Sequence, residues 1–251
     1  MRTLMMITVA LFGLAFAPGA AVAGAKKPFV ATAVQTFEGR EVQTGTIYVS
    51  AAGTRFEYLE GGRPQVKIIL SNPRVMRILF PQDKVYMEVA APMDTPTAVT
   101  GEENPCPDME GLSCEKITDA KFGDLDVEQW RQYHAPSKTT SMVWWEPVRN
   151  LIVRQEFSDG AVMQLNLVGK IDFEGRETER WDISMARADG TITTAYQLVD
   201  TDLGIIVKDE NPAAGVMREL RELKVMDSDA NWFDVPADYR RVEPPRQPSA
   251  Q

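Results

Sequence analysis

Apolar residues recur along this chain with a period of two rather than 3.6, in runs too short for globular helices. Residues 30–37, 42–50, 55–59, 66–70, 75–80 and 85–90 are rich in Val, Ile, Thr, Phe and Tyr, which is the composition of strands. Between them stand E-G-R at 38–40, A-A-G at 51–53, G-G-R-P at 61–64, S-N-P at 71–73 and P-Q-D at 81–83, each suited to a tight reversal. A parallel crossover needs a dozen or more residues, so connections this short allow antiparallel neighbours only. The first half reads as a meander.

The second half repeats itself. V-E-Q-W at 127–130 and L-I-V-R-Q-E at 151–156 return as T-E-R-W at 178–181 and I-I-V-K-D-E at 205–210, at offsets of 51 and 54 residues. Each copy supplies about four strands: one carrying E-x-W, a second hairpin arm, an apolar strand ending in a charged pair, and a longer strand at 161–170 or 216–226. The stretch F-E-G-R-E occurs at both 37–41 and 173–177, a short match that hints at the same plan in the first half. Repeats of this length predict meander units side by side in one continuous sheet. A twisted sheet of ten or more strands curls or closes, so the expectation is a large curled antiparallel sheet with few helices and a concave face.

Alternation within the strands groups Phe56 with Tyr58, Met76 with Ile78 and Phe80, and Val85 with Met87. These seven residues are the candidates for lining a pocket for an apolar ligand. The same pattern is what a packed core requires, and most apolar strand faces simply pack.

Residues 91–113 break the rhythm. Pro92, Pro96, Pro105 and Pro107, with Gly101 and Gly111, make regular structure there improbable, and the segment reads either as a lid or as a linker. Cys106 and Cys114 are the only cysteines. In an exported chain two cysteines so close read as a disulfide, worth about 2–3 kcal/mol in the chain-entropy model. A redox pair would be spaced two residues apart at a helix start, and a zinc site would need more ligands than one histidine supplies.

Export itself is read from the first residues. Arg2 gives a positive start, Leu4 to Ala17 is an almost unbroken apolar run, Pro18 and Gly19 end any helix, and A-V-A at 21–23 fits a signal-peptidase site. The apolar run is shorter than the ~20 residues that span a bilayer. Residues 1–23 are therefore expected to be a signal peptide cleaved after Ala23, leaving a chain that does not span the membrane. Hydrophobic residues make up 44% of the sequence, enough for a folded core. Loss of Arg2 takes the 27 basic residues to 26 against 36 acidic ones, a balance of −10 that repels nucleic acid and anionic headgroups.

No motif for catalysis stands out. The single histidine, His134, precedes Ala135 and Pro136 at a strand end, and neither G-x-S-x-G, H-E-x-x-H nor a glycine-rich phosphate loop is present. Acid pairs such as Asp124 with Asp126 and Asp227 with Asp229 read as solvated turn residues. Trp130, Trp144, Trp145 and Trp181 fall in strands, where such residues pack in the sheet. The expectation is a non-enzyme with no cofactor and no metal.

The end of the chain carries a resemblance. A last strand at 216–225 followed by N-W-F-D-V-P-A-D-Y-R-R-V at 231–242 resembles the ending of the periplasmic outer-membrane lipoprotein-carrier (LolA-like) superfamily. G-T-I-Y-V-S-A-A-G-T-R-F-E-Y at 45–58 is similar to that family's second and third strands, and R-V-M-R-I-L-F-P-Q-D-K-V-Y-M-E-V at 74–89 to its next hairpin. The resemblance implies an open antiparallel half-barrel with an apolar concavity over 24–242, and a periplasmic protein that binds or carries a lipid or lipoprotein acyl chain. The alternative is an envelope structural or interaction protein that binds a protein partner and has a packed interior. Residues 243–251, with three prolines and no apolar run, are expected to be a disordered tail.

Overall fold

The computed structural model describes residues 25–91, 105–106 and 111–244. The signal peptide expected at 1–23, most of the connection at 91–113 and the tail beyond residue 244 lie outside the described residues.

The first meander runs β1 (Phe29–Phe37), β2 (Arg40–Ser50), β3 (Gly53–Glu60), β4 (Arg63–Leu70), β5 (Val75–Phe80) and β6 (Val85–Ala90). The second runs β7 (Leu112–Phe122), β8 (Leu125–His134), β9 (Thr139–Glu146), β10 (Leu151–Phe157), β11 (Val162–Phe173), β12 (Arg176–Ala186), β13 (Ile192–Asp200), β14 (Ile205–Asn211) and β15 (Val216–Val225). Short 3₁₀ turns at Pro212–Ala214 and Ala230–Phe233 precede β15 and a two-residue strand, β16 (Arg240–Arg241).

All sixteen strands form one sheet in the order β16-β6-β5-β4-β3-β2-β1-β15-β14-β13-β12-β11-β10-β9-β8-β7. Within each meander chain neighbours are sheet neighbours, as the short turns require. The two meanders join where β1 pairs antiparallel with β15, from Phe29 opposite Val225 to Phe37 opposite Val216. Only β16 runs parallel to its neighbour, β6. The sheet is not closed, and it is the open antiparallel half-barrel that the family resemblance implied.

The repeat is structural. Its copies are β8–β11 and β12–β15, in the expected order of E-x-W strand, second arm, apolar strand and long strand. Both F-E-G-R-E stretches make the same left-handed turn: Glu38 and Gly39 have φ of 48° and 75°, Glu174 and Gly175 of 51° and 77°. The strand that ends at Glu146 and the one that ends at Asp200 close their turns alike. Glu146 accepts from the backbone N–H of Val148 and Arg149 at 3.3 and 2.8 Å. Asp200 accepts from Asp202 and Leu203 at 3.0 and 2.8 Å.

Three clusters hold the sheet. Phe29, Ala31, Ala33, Ile47, Val49 and Phe56 of β1–β3 pack with Leu198, Leu203, Ile205, Val207 and Leu220 from β13 to β15. Those strands span six successive positions of the sheet order. A buried cluster that broad forms only where the sheet bends toward it, so this is the inner face. On the outer face, Val66, Ile68 and Leu79 are covered by Phe233, with Trp232, Val235 and Tyr239 beside it. Arg55 donates to the Trp232 carbonyl at 3.0 Å, and Tyr48 meets the Trp232 ring at 5.5 Å. The third cluster centres on Trp181 with Val127, Val153 and Leu165 in the repeat half.

Candidate functional site

Residues directly opposite each other in an antiparallel pair project to the same side of the sheet. Ile47 faces Phe56, Phe56 faces Lys67, Lys67 faces Ile78, and Ile78 faces Met87. Tyr58 faces Gln65, Met76 faces Val89, and Phe80 faces Val85. The register therefore brings all seven candidate residues onto one face, and Ile47 places that face on the inside of the curl.

Depth divides them. Phe56 is only 1% exposed and belongs to the inner cluster, with Tyr58 packed against it. Their rings stack at 4.9 Å with planes 16° apart. Gly45 makes room for the stack, since a Cβ there would stand 2.7 Å from the Phe56 ring and 2.3 Å from the Glu57 carbonyl oxygen. Met76, Ile78, Phe80, Val85 and Met87 lie beyond the cluster on β5 and β6, and all five are half-buried. The outer side of the same strands, at Leu79 and Tyr86, is the side packed against the C-terminal segment.

Lys67 stands in the middle of this apolar inner face, between Phe56 and Ile78. It is half-buried, and burial pulls its ammonium below the ordinary lysine range, with Glu60 acting weakly in the other direction. Among the described residues Lys67 forms no ion pair and no side-chain hydrogen bond. Two residues along, Gln65 accepts from the Tyr58 hydroxyl at 3.1 Å. Neither residue was a candidate from sequence: alternation groups Gln65, Lys67 and Ile69 on one face of β4, and the register with β3 and β5 makes that face the inner one.

A second concavity of about 450 Å³ lies at the ends of β7–β10, lined by Gln132, His134, Ser141, Gln155 and Phe157 among others. Its polar side chains are cross-linked. Gln155 donates to Ser141 Oγ at 3.3 Å, Ser141 to Gln132 Oε1 at 3.3 Å, and the Gln132 amide to the Pro105 carbonyl at 2.6 Å. Pro105 adjoins the Cys106–Cys114 disulfide, which forms as the spacing predicts and ties that segment to β7. His134 ends β8 and meets Ser137 Oγ at 2.6 Å through Nδ1.

The acid pairs stay apart from any shared site. Asp126 pairs with Lys121 at 2.6 Å, and Asp229 accepts from the Asn231 N–H at 2.9 Å as the cap of its 3₁₀ turn. The tryptophans pack: Trp181 is fully buried, Trp145 donates to Asn150 Oδ1 at 3.0 Å, and Trp144 lies under the Arg154 guanidinium at 5.4 Å. Among the described residues no three His, Cys, Asp or Glu side chains gather as metal ligands, and no helix is long and apolar enough to cross a membrane.

No family model and no curated protein matches this chain. Solved structures are similar to it at low identity. A LolA superfamily protein from Nitrosomonas europaea is 12% identical with a TM-score of 0.41, over 86% of this chain and 94% of that one. A DUF1329 family protein from Desulfovibrio piger is 10% identical with a TM-score of 0.34, over 83% and 90%. MucB in its Pseudomonas aeruginosa complex with MucA is 14% identical with a TM-score of 0.37, over 90% of this chain and 61% of that one.

Proposed function

We propose that this chain is an exported, non-catalytic protein that binds or carries a hydrophobic, acyl-bearing ligand on the inner face of β5 and β6. The observation that supports it most is the sidedness of those strands. Their outer face is covered by the chain's own C-terminal segment, whereas Met76, Ile78, Phe80, Val85 and Met87 form a half-buried apolar surface on the inner side. Apolar area of that kind gains about 25 cal/mol for each Å² that a ligand removes from water. Unbranched methionines let such a surface adapt to a flexible chain. The sequence resemblance of 45–58 and 74–89 to the lipoprotein-carrier superfamily supports the same reading. In this proposal residues 1–23 direct export and are removed after Ala23, and residues 24–242 act as one half-barrel domain in the periplasm.

The packed cluster under β1–β3 favours a second reading, an envelope interaction protein with a filled interior, for that part of the molecule. One experiment separates the two. The protein is purified from the periplasm and studied by native mass spectrometry beside an organic extract of the same sample. Near-stoichiometric lipid or lipoprotein is the outcome expected of a carrier. A clean mass that gains no adduct when acyl-chain probes are added overturns it in favour of the interaction protein.

A further inference from the structure

The position of Lys67 narrows the ligand. Resting on the carrier reading, we infer that the ligand is a long-chain carboxylate, its head held by Lys67 and Gln65 and its tail laid along Ile78 and Met87.

An acyl chain on this face would bear directly on Lys67. The residue lies directly opposite Phe56 on one side and Ile78 on the other. A hydrocarbon tail seated on Ile78 and Met87 covers the ammonium as well. Covering a charge without supplying a partner is costly, and the cost rises as water is excluded. A ligand with a neutral head therefore works against this face, while an anionic head turns the same burial into a charge-assisted hydrogen bond.

The protein leaves that role open. Charges on the opposite side of these strands are matched: Arg55 with Glu57 at 2.7 Å, and Arg77 with Glu88 at 2.8 Å. On the inner side of β3–β6, Glu60 is the sole carboxylate, and it is exposed and makes no ion pair with Lys67. Arg63, the other cation of this side, is held by Gln82 and Asp83 at 3.0 and 2.9 Å. Lys67 is thus the one cation of this inner surface left for a ligand among the described residues.

The size of the head follows from the donors. The Gln65 carbonyl oxygen is occupied by the Tyr58 hydroxyl, which leaves the amide hydrogens to donate. One ammonium and one amide suit the two oxygens of a monovalent carboxylate. A phosphate dianion would call for further cations, and Arg63, the other cation of β3–β6 on this side, is already engaged.

Calorimetric titration of the delipidated, full exported chain with palmitate and with hexadecan-1-ol tests this directly. The tails match and only the head differs. Palmitate is expected to bind about tenfold tighter or more, the worth of one hydrogen bond to a charged group. Lys67→Met keeps the length and apolar character of the side chain, and it should abolish the preference while leaving hexadecanol binding unchanged or improved. Lys67→Arg should retain the preference, and matching thermal transitions show that each variant is folded. Equal affinity in the wild type, or a preference that survives Lys67→Met, overturns the carboxylate inference and leaves the apolar site standing. Failure of both ligands to bind overturns the carrier reading itself.

Discussion

Arg149 reaches from the turn after β9 to Glu179 on β12 and closes a two-pronged pair, Nε to Oε2 at 2.7 Å and Nη2 to Oε1 at 2.9 Å. The guanidinium also lies 5.7 Å from the centre of the Trp181 ring, the largest side chain of the repeat-half core. The pair therefore clamps the β9–β10 turn to a strand two positions beyond β10 in the sheet, over the core both of them cover.

Arg149→Met should cost about 2–3 kcal/mol by denaturant unfolding, because it strands a buried carboxylate without its partner. The hydrogen bond from Arg149 holds the Glu179 carboxyl below the ordinary glutamate range, against the opposing effect of burial. A depressed folded-state pKa contributes stability above the unfolded value and loses it as the pH falls through the folded one. Acid should therefore destabilise the wild type more steeply than Arg149→Met. Equal acid slopes would show that the pair adds nothing.

Asp200 takes the place of Glu146 in the second repeat copy, where it accepts from two backbone N–H groups and from Arg176 Nε while only 1% exposed. Asp200→Ala should lower stability by about 2–3 kcal/mol, as the loss of a cap and a charged hydrogen bond together. Asp200→Asn keeps an acceptor for the turn and should lose about half as much. Thermal or urea melts of the two variants distinguish a capping role from a purely ionic one.

The disulfide and Gln132 anchor the same segment, through Cys106 and the neighbouring Pro105 carbonyl. Replacing both cysteines by serine should cost about 2–3 kcal/mol for the loop they close. Gln132→Ala alone should cost about 1–2 kcal/mol for a buried hydrogen bond left unmade. In the triple variant the two losses should sum to less than their total, since one freed segment cannot be freed twice. Strict additivity in a double-mutant cycle would separate the two anchors.

Phe233 covers the outer face of β4 and β5 and is 7% exposed. Phe233→Ala should cost about 3–5 kcal/mol. It should also raise the fluorescence of a dye that binds apolar surface, because Ile68 and Leu79 lie beneath. An unchanged unfolding midpoint would mean that the C-terminal segment is an ornament on a self-sufficient sheet.

Burial, then the hydrogen bond to Glu210 at 2.8 Å, pushes the Tyr196 hydroxyl up to about 12. A raised folded-state value gives stability that is complete below the unfolded tyrosine pKa and declines as the pH climbs between the two. Tyr196→Phe should remove this alkaline decline. Ultraviolet titration of the folded protein should correspondingly lose its latest-ionising tyrosine.

The strands of the first meander were readable because their polar interruptions are Gly, Pro, Asn and Asp at spacings that only hairpins use. The starts of β1–β4 lie earlier than composition places them. Arg40 and Arg63 look like turn residues, yet Arg40 faces Phe37 and Arg63 faces Glu60, closing the ladders beside two-residue turns. The candidate side chains could be grouped within each strand by alternation, but their alignment across β3–β6 is a property of register. The inward place of Lys67 is hidden for the same reason. Within V-K-I-I-L it reads as the outward residue of a half-buried strand, and only its place opposite Phe56 and Ile78 shows it to be inward. Gln132, Ser141 and Gln155 are unremarkable polar residues until three hairpin arms place them in line. The seam of β1 with β15 has no local signature, since nothing in either strand names the other.

That seam sets the order in which the molecule can assemble. Synthesis delivers β1 before the other strands of the sheet, but its second neighbour, β15, is nearly two hundred residues further along and arrives almost last. Every other antiparallel pair of the sheet can zip as a local hairpin within microseconds. The β1–β15 pair must instead wait for a long loop to close, the kind of contact that slows folding most. Until then β1 presents one bare edge, in a stretch whose V-A-T-A-V core carries no charge. The nascent protein is thus most vulnerable to sticky misassembly at its very first strand, and a chaperone that shields that edge would meet it before the chain is complete.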